Sequence, residues 1–199
     1  MDWLADHYIE IFGALTGILY VVLEIRQSIW LWPVGLITSG VYVWVFFLSK
    51  FYADMGLQTY YVVISIYGWY WWLKGGRKYD KESLPVTRLS TKIAAVLFFV
   101  FIILFVAIWY ILRKHTDSPL PLGDAFTTAL SVVATWMLAR KIIEHWLLWI
   151  VADLVSIGLY VYKGLHPTVI LFTVYTIMAV IGYREWQKGL RPLPPRPQS

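Results

Sequence analysis

Two acidic residues and two pairs of tryptophans are the groups in this chain best suited to hold a small molecule. Glu24 and Asp153 lie in, or at the edge of, long apolar runs. A charged group costs about 2.5–3.5 kcal/mol at the centre of a bilayer, so it turns towards protein or a watery cavity. Asp153 lies about two helical turns into its run, where its choices are a hydrogen bond to a neighbouring helix or a contact to a ligand. Glu24 sits near the end of its run, where pairing with Arg26 competes with a binding role. Trp69 and Trp72, like Trp146 and Trp149, are three residues apart, which puts both rings on one helical face. Such rings can hold flat or cationic ligands, and they also crowd bilayer interfaces as belts. Gln58, Thr59, Tyr61 and Ser65 form a polar stripe at helical spacing, with Thr173, Tyr175 and Thr176 in the matching place later on. The candidate ligand-binding residues are therefore Glu24, Gln58, Tyr61, Trp69, Trp72, Trp146, Trp149, Asp153 and Tyr175.

Signs of catalysis are missing. His7, His115, His145 and His166 fall near the ends of apolar runs and form no helical metal-binding pair. There is no nucleophile elbow, and without cysteine there is no thiol chemistry and no thiolate metal site. The glycines at Gly75 and Gly76 follow no strand and lack the phosphate-loop pattern. A retinal protein would need a lysine in its last span, and Gly164–Tyr183 contains none. The chain reads as a non-enzyme that requires no cofactor.

The elements that position these residues are membrane helices. With 59% hydrophobic residues in 199, the chain is not a soluble domain. Charge-free runs long enough to cross a bilayer occur at Gln27–Ser49, Met55–Leu73, Ile93–Leu112 and Gly164–Tyr183. Shorter runs at Tyr8–Leu23 and Ala125–Ala139, and the Trp146–Tyr162 run broken by Asp153, complete an all-α integral membrane protein. Its seven expected spans are 8–25, 29–48, 55–73, 93–112, 122–139, 146–163 and 167–186. The first, preceded by Asp2 and Asp6 and no cation, reads as a retained helix and not a cleaved signal.

A duplication organises these spans. Arg26, Trp32, Leu57, Thr59, Tyr61, Gly68 and Trp72 recur as Arg140, Trp146, Leu171, Thr173, Tyr175, Gly182 and Trp186, always 114 positions on. That offset contains an even number of spans, so the two three-helix repeats are parallel, a 3+1+3 plan like that of the SWEET sugar uniporters. The expected units are a first repeat (1–73), a loop and lipid-facing linker helix (74–113), a second repeat (114–186) and a disordered cytoplasmic tail (187–199). On one face lie Lys50, Arg113, Lys114 and Lys163, and the other 13 of the 17 Lys and Arg lie opposite. The positive-inside rule then places the N-terminus outside and the C-terminus in the cytoplasm. The net charge of +5 thus reflects topology, and no loop is large enough to fold around nucleic acid.

Trp30-Leu31-Trp32-Pro33-Val34-Gly35, Phe51-Tyr52-Ala53-Asp54-Met55-Gly56-Leu57-Gln58 and Tyr67-Gly68-Trp69-Tyr70-Trp71-Trp72 resemble the Pnu-type vitamin transporters, whose founding members carry nicotinamide riboside. Ala139-Arg140-Lys141 and Glu144-His145-Trp146-Leu147-Leu148-Trp149 agree in the second half. The resemblance runs from Leu15 to Trp186. It implies two parallel three-helix bundles with a linker, in the bacterial inner membrane. It also implies facilitated uptake drawn inward by a cytoplasmic kinase, and carries the family's path-lining tryptophans to Trp69, Trp72, Trp146 and Trp149. Where nicotinamide riboside members have asparagine before the second motif, this chain has His145, and Glu24 is more typical of relatives associated with thiamine. Both vitamins are flat heteroaromatic cations with hydroxyl groups, and the resemblance does not separate them. The partners implied are the vitamin, the bilayer and the kinase, with a homo-oligomer left open. A sugar-type uniporter and a non-transporting membrane receptor or scaffold are the alternatives.

Overall fold

The computed structural model describes residues 8–48, 52–75 and 84–190. They form seven helices: α1 (Tyr8–Ile25), α2 (Leu31–Leu48), α3 (Tyr52–Lys74), α4 (Thr91–His115), α5 (Pro121–Ala139), α6 (His145–Tyr162) and α7 (His166–Lys188). Every boundary lies within three residues of the span expected from the sequence. Among the described residues there is no strand, only an isolated bridge between Thr87 and Ile142. Five helices, α2 and α4 to α7, are long and apolar enough to cross a membrane. In α1 the apolar stretch is the shorter Phe12–Ile25, and α3 dilutes its apolar residues with Gln58, Thr59, Ser65 and many tyrosines and tryptophans. Helix α7 continues to Lys188 and Leu190 packs on the core; the rest of the expected tail lies outside the described residues.

Local chemistry explains the helix ends. Ser90 caps α4 by accepting from the Ile93 N–H at 3.4 Å. Arg113, Lys114 and His115 occupy its last turn, where cations oppose the helix dipole. Prolines in the first turns of α5 and α7 remove N–H groups that would have no helical partner. The α1–α2 and α5–α6 turns pass through Gln27 and Lys141, two non-glycine residues with φ of 52° and 51°. These residues are 114 positions apart and touch, the Lys141 Nζ donating to Gln27 Oε1 at 3.2 Å.

Packing joins α1 to α2 and α7, α2 to α3, α3 to α5, α4 to α5, α5 to α6, and α6 to α7. At its centre lies a layer of four buried tryptophans. Trp32 meets Trp72 edge-on at 5.4 Å and 89°, Trp146 meets Trp186 at 5.8 Å and 87°, and Trp72 meets Trp186 at 6.4 Å. Trp32 and Trp146 fit over Gly68 and Gly182, where a Cβ would overlap the indole. The Trp186 Nε1 donates to the Glu24 carbonyl at 3.0 Å, and the Trp72 Nε1 to the Leu138 carbonyl at 3.4 Å. Both carbonyls belong to last helical turns, where each also accepts a turn N–H, from Gln27 and Lys141 at 2.9 Å, and the indole takes the remaining lone pair. Beneath the layer Leu84 and Val86 join the same core. The Thr87 N–H donates to the Lys141 carbonyl at 2.9 Å, and the Ile143 N–H to the Thr87 carbonyl at 3.0 Å. From there α4 departs to lie against α5, presenting Phe98, Phe99 and Ile103 outward.

The two glycines give a stability test. Alanine in place of glycine in a helix normally gains about 1 kcal/mol, but overpacking a filled core costs about 1–3 kcal/mol. Gly68→Ala and Gly182→Ala are therefore expected to lower the thermal midpoint in detergent. Gly40→Ala, on the exposed face of α2 with open space around it, should leave it unchanged or raise it.

Candidate functional site

On one side of the tryptophan layer a cavity of about 450 Å³ opens among α1, α2, α3, α5, α6 and α7. Seven of the nine candidate residues line it: Glu24, Gln58, Tyr61, Trp146, Trp149, Asp153 and Tyr175. The other two do not. Trp69 is 36% exposed on the outer face of α3, and Trp72 is inside the aromatic layer with the Lys141 Nζ 4.3 Å from its ring. Helix geometry accounts for the difference. Gln58, Tyr61 and Ser65 define the cavity face of α3, which continues through Gly68 into the layer, and Trp69 turns past its edge. On α6, Trp146, Trp149 and Asp153 follow one face at intervals of three and four residues, so all three reach the cavity.

Further lining residues carried little signal. Thr16, Tyr20 and Glu24 form an i, i+4, i+8 stripe on α1, and Ser131 and Thr135 an i, i+4 pair on α5. Their spacing was readable, but Ser and Thr inside apolar helices commonly bond their own backbone. Ser131 and Thr135 do so, donating to Thr127 and Ser131 carbonyls at 2.8 Å. Thr59, Thr173 and Thr176, on the stripes expected from the sequence, do the same and do not line the cavity.

The polar groups fall into two kinds. Glu24 is satisfied: its Oε1 lies 2.9 Å from Nε2 of His145, whose Nδ1 lies 2.7 Å from the Ile142 carbonyl oxygen. Both side chains are buried. Asp153, only 5% exposed, has no hydrogen bond to a described residue. The indole Nε1 atoms of Trp146 and Trp149 are buried donors, also without a partner among the described residues. An unmade hydrogen bond to a buried group costs about 1–3 kcal/mol. Two donors and a carboxylate along one stripe of one helix therefore suit a ligand carrying both acceptors and a donor or cationic group. Asp124 is engaged elsewhere, by Ser118 at 2.6 Å and Lys163 at 3.0 Å. Among the described residues no cluster of side chains could hold a metal ion.

The profile of the nicotinamide mononucleotide transporter family matches residues 7–188. The chain belongs to this family. It is 25% identical over 212 residues to the Escherichia coli (strain K12) nicotinamide riboside transporter PnuC, covering 92% of this chain and 87% of that one. It is 24% identical over 197 residues to the Streptomyces davaonensis riboflavin/roseoflavin transporter RibM, covering 94% and 92%. The crystal structure of the vitamin B3 transporter PnuC superposes with a TM-score of 0.71 at 26% identity, over 92% of this chain and 82% of that one. Non-enzymatic transport is thus the family's business, and this chain is a multi-pass membrane transporter.

Lys141, on the turn beneath the cavity, gives a pH test. Burial pushes its ammonium down to about 8 from the usual 10.5. The unfolded chain therefore holds a proton that the folded chain lacks between those two values. Stability attributable to this residue should rise with pH across that window, its charged-form penalty being fully present below about 8. The thermal midpoint of the wild type minus that of Lys141→Met, followed from pH 7.5 to 10.5, should increase.

Proposed function

We propose that this chain imports a flat, cationic aromatic vitamin, nicotinamide riboside or thiamine, across a bacterial inner membrane. The observation that carries this reading is Asp153: a buried carboxylate without a hydrogen bond to any described residue, facing an aromatic-lined cavity. A cationic ring stacked near Trp149 would place its charge against that carboxylate and over an aromatic face. The hydroxyl oxygens that both vitamins carry would meet the idle indole donors of Trp146 and Trp149. The relative named for nicotinamide riboside supports the same class of ligand.

The transport cycle follows from the architecture we infer. Seven spans form two parallel repeats, residues 1–73 and 114–186, joined by α4, with the N-terminus outside and the C-terminus cytoplasmic. The repeats are supported by residues 114 apart that hold equivalent places: Gln27 and Lys141, Trp32 and Trp146, Gly68 and Gly182, Trp72 and Trp186. The cavity lies between them, and rocking one repeat against the other would open it to each face in turn. On this reading the tryptophan layer, with Leu84 and Val86 packed in the same core, would close the side we assign as cytoplasmic. On the same reading movement is facilitated diffusion, and a cytoplasmic kinase traps the product.

A second reading is a neutral, acceptor-rich vitamin such as riboflavin. The idle indole donors and the hydroxyl-lined walls favour it, and the riboflavin-transporting relative accords with it.

Uptake of labelled nicotinamide riboside, thiamine and riboflavin into liposomes, with and without an entrapped kinase, tests substrate and energetics together. Equilibration without kinase and accumulation with it is the expected result. Concentration above the outside level without kinase would rule out the passive mechanism. Among variants, Trp149→Ala should weaken affinity for the cationic vitamin about two- to thirtyfold, and Trp149→Phe should weaken it less. Trp69→Ala, outside the cavity, should leave affinity unchanged in the folded protein.

A further inference from the structure

The cavity is lined by two carboxylates, and their surroundings give them different roles. The Ile142 carbonyl oxygen can only accept a hydrogen bond, so the His145 Nδ1 at 2.7 Å carries a hydrogen. The His145 Nε2 then lies 2.9 Å from the Glu24 Oε1. A second hydrogen must sit between those two atoms, on the imidazole or on the carboxyl. Imidazolium with carboxylate and imidazole with carboxylic acid both have zero net charge. Glu24 thus lines the cavity without adding charge to it. The rings of Trp146 and Trp186, each 4.7 Å from the His145 ring, enclose the pair.

The other titratable groups nearby do not alter that count. The Tyr20, Tyr61 and Tyr175 phenols are neutral at ordinary pH. Lys141, on the same turn as Ile142, is held by Gln27 and the Trp72 face. Asp153 is the remaining carboxylate on the cavity wall, and it lacks a counter-charge.

We propose that His145 is a resident counter-ion that masks Glu24, so that Asp153 alone sets the ligand's charge and the site selects a ligand bearing one positive charge. His145 is on this view a specificity-determining residue that acts through Glu24, without touching the ligand's cation. The inference rests on the reading that this cavity holds a cationic aromatic vitamin. It removes Glu24 from the groups that contact that cation.

The measurement is a charge preference. Affinities of nicotinamide riboside and thiamine are each compared with an uncharged isostere, the 1,4-dihydro riboside and 3-deazathiamine, on purified protein in nanodiscs. The wild type should favour the cation, and Asp153→Asn should abolish that preference. If the wild type does not favour the cation, or Asp153→Asn keeps the preference, the cationic reading itself fails, whatever the pair does.

The paired variant Glu24→Gln/His145→Asn removes a neutral unit and leaves no buried charge unpaired. It should keep the wild-type preference within about twofold. If it instead loses the preference as Asp153→Asn does, Glu24 is the ligand's own partner and the proposal is overturned. The single variant His145→Asn unmasks Glu24. Measured beside the wild type at the same alkaline pH, its preference for the cation should exceed the wild-type value about tenfold, which a purely structural histidine would not produce. No excess over the wild type overturns the counter-ion role. Should the single variant fail to fold, the paired variant decides alone.

Discussion

Two of the four buried indoles in the central layer donate to carbonyls in last helical turns, and they do so across the sequence halves. Trp186, near the end of the chain, bonds the last turn of α1, and Trp72 bonds the last turn of α5. The bonds are equivalent under the 114-residue offset, so each half terminates a helix of the other. Gly68 and Gly182 create the room for Trp32 and Trp146 that lets the rings close into one layer. In a bilayer, where apolar burial does little to hold helices together, close packing at small residues and interhelical hydrogen bonds carry association. The layer supplies both at once.

The cavity inherits its geometry from that layer. Helix α6 begins at it, with His145 and Trp146 both buried there, and then climbs away along the cavity wall. At 1.5 Å per residue, Trp149 to Asp153 is a rise of about 6 Å, comparable with one flat ring system. An aromatic face, two idle donors and a carboxylate are therefore presented by one rigid element. Sites on helices hold position better than sites on loops. The polar residues of α1, α3 and α5 complete the wall from the opposite side, so the site is made only when both halves are present.

How far the sequence reached follows from what its periodicity encodes. Hydropathy located all seven helices, and five of them are long and apolar enough to cross a membrane. The diagonal of identities pointed to Trp32, Gly68 and Trp72 and their partners, which the structure gathers in one layer. The Trp-x-x-Trp pairs show the limit. A three-residue spacing says that two rings share a face, but not which neighbour that face meets. Trp146 and Trp149 reach the cavity, whereas Trp69 points outward and Trp72 becomes part of the layer. The partnership of Glu24 with His145 was out of reach for another reason: 121 residues separate them. Arg26, two positions away, was the natural local partner to expect for Glu24.

That partnership also shows how one frame accommodates different ligands. The tryptophan layer uses glycines, indoles and backbone carbonyls, and of its four indoles only that of Trp146 also lines the cavity. His145 stands at the first position of α6, where the helix dipole disfavours a cation and favours a nearby anion. Glu24 brings a carboxylate to the same helix start, where it offsets the dipole's effect on a cation. An asparagine at that position would need no such partner, and the carboxylate of Glu24 would then face the cavity as a second negative group. Histidine and glutamate therefore act as a unit: either one alone would leave an uncompensated group in the apolar interior, whereas together they close the floor of the cavity at no net charge.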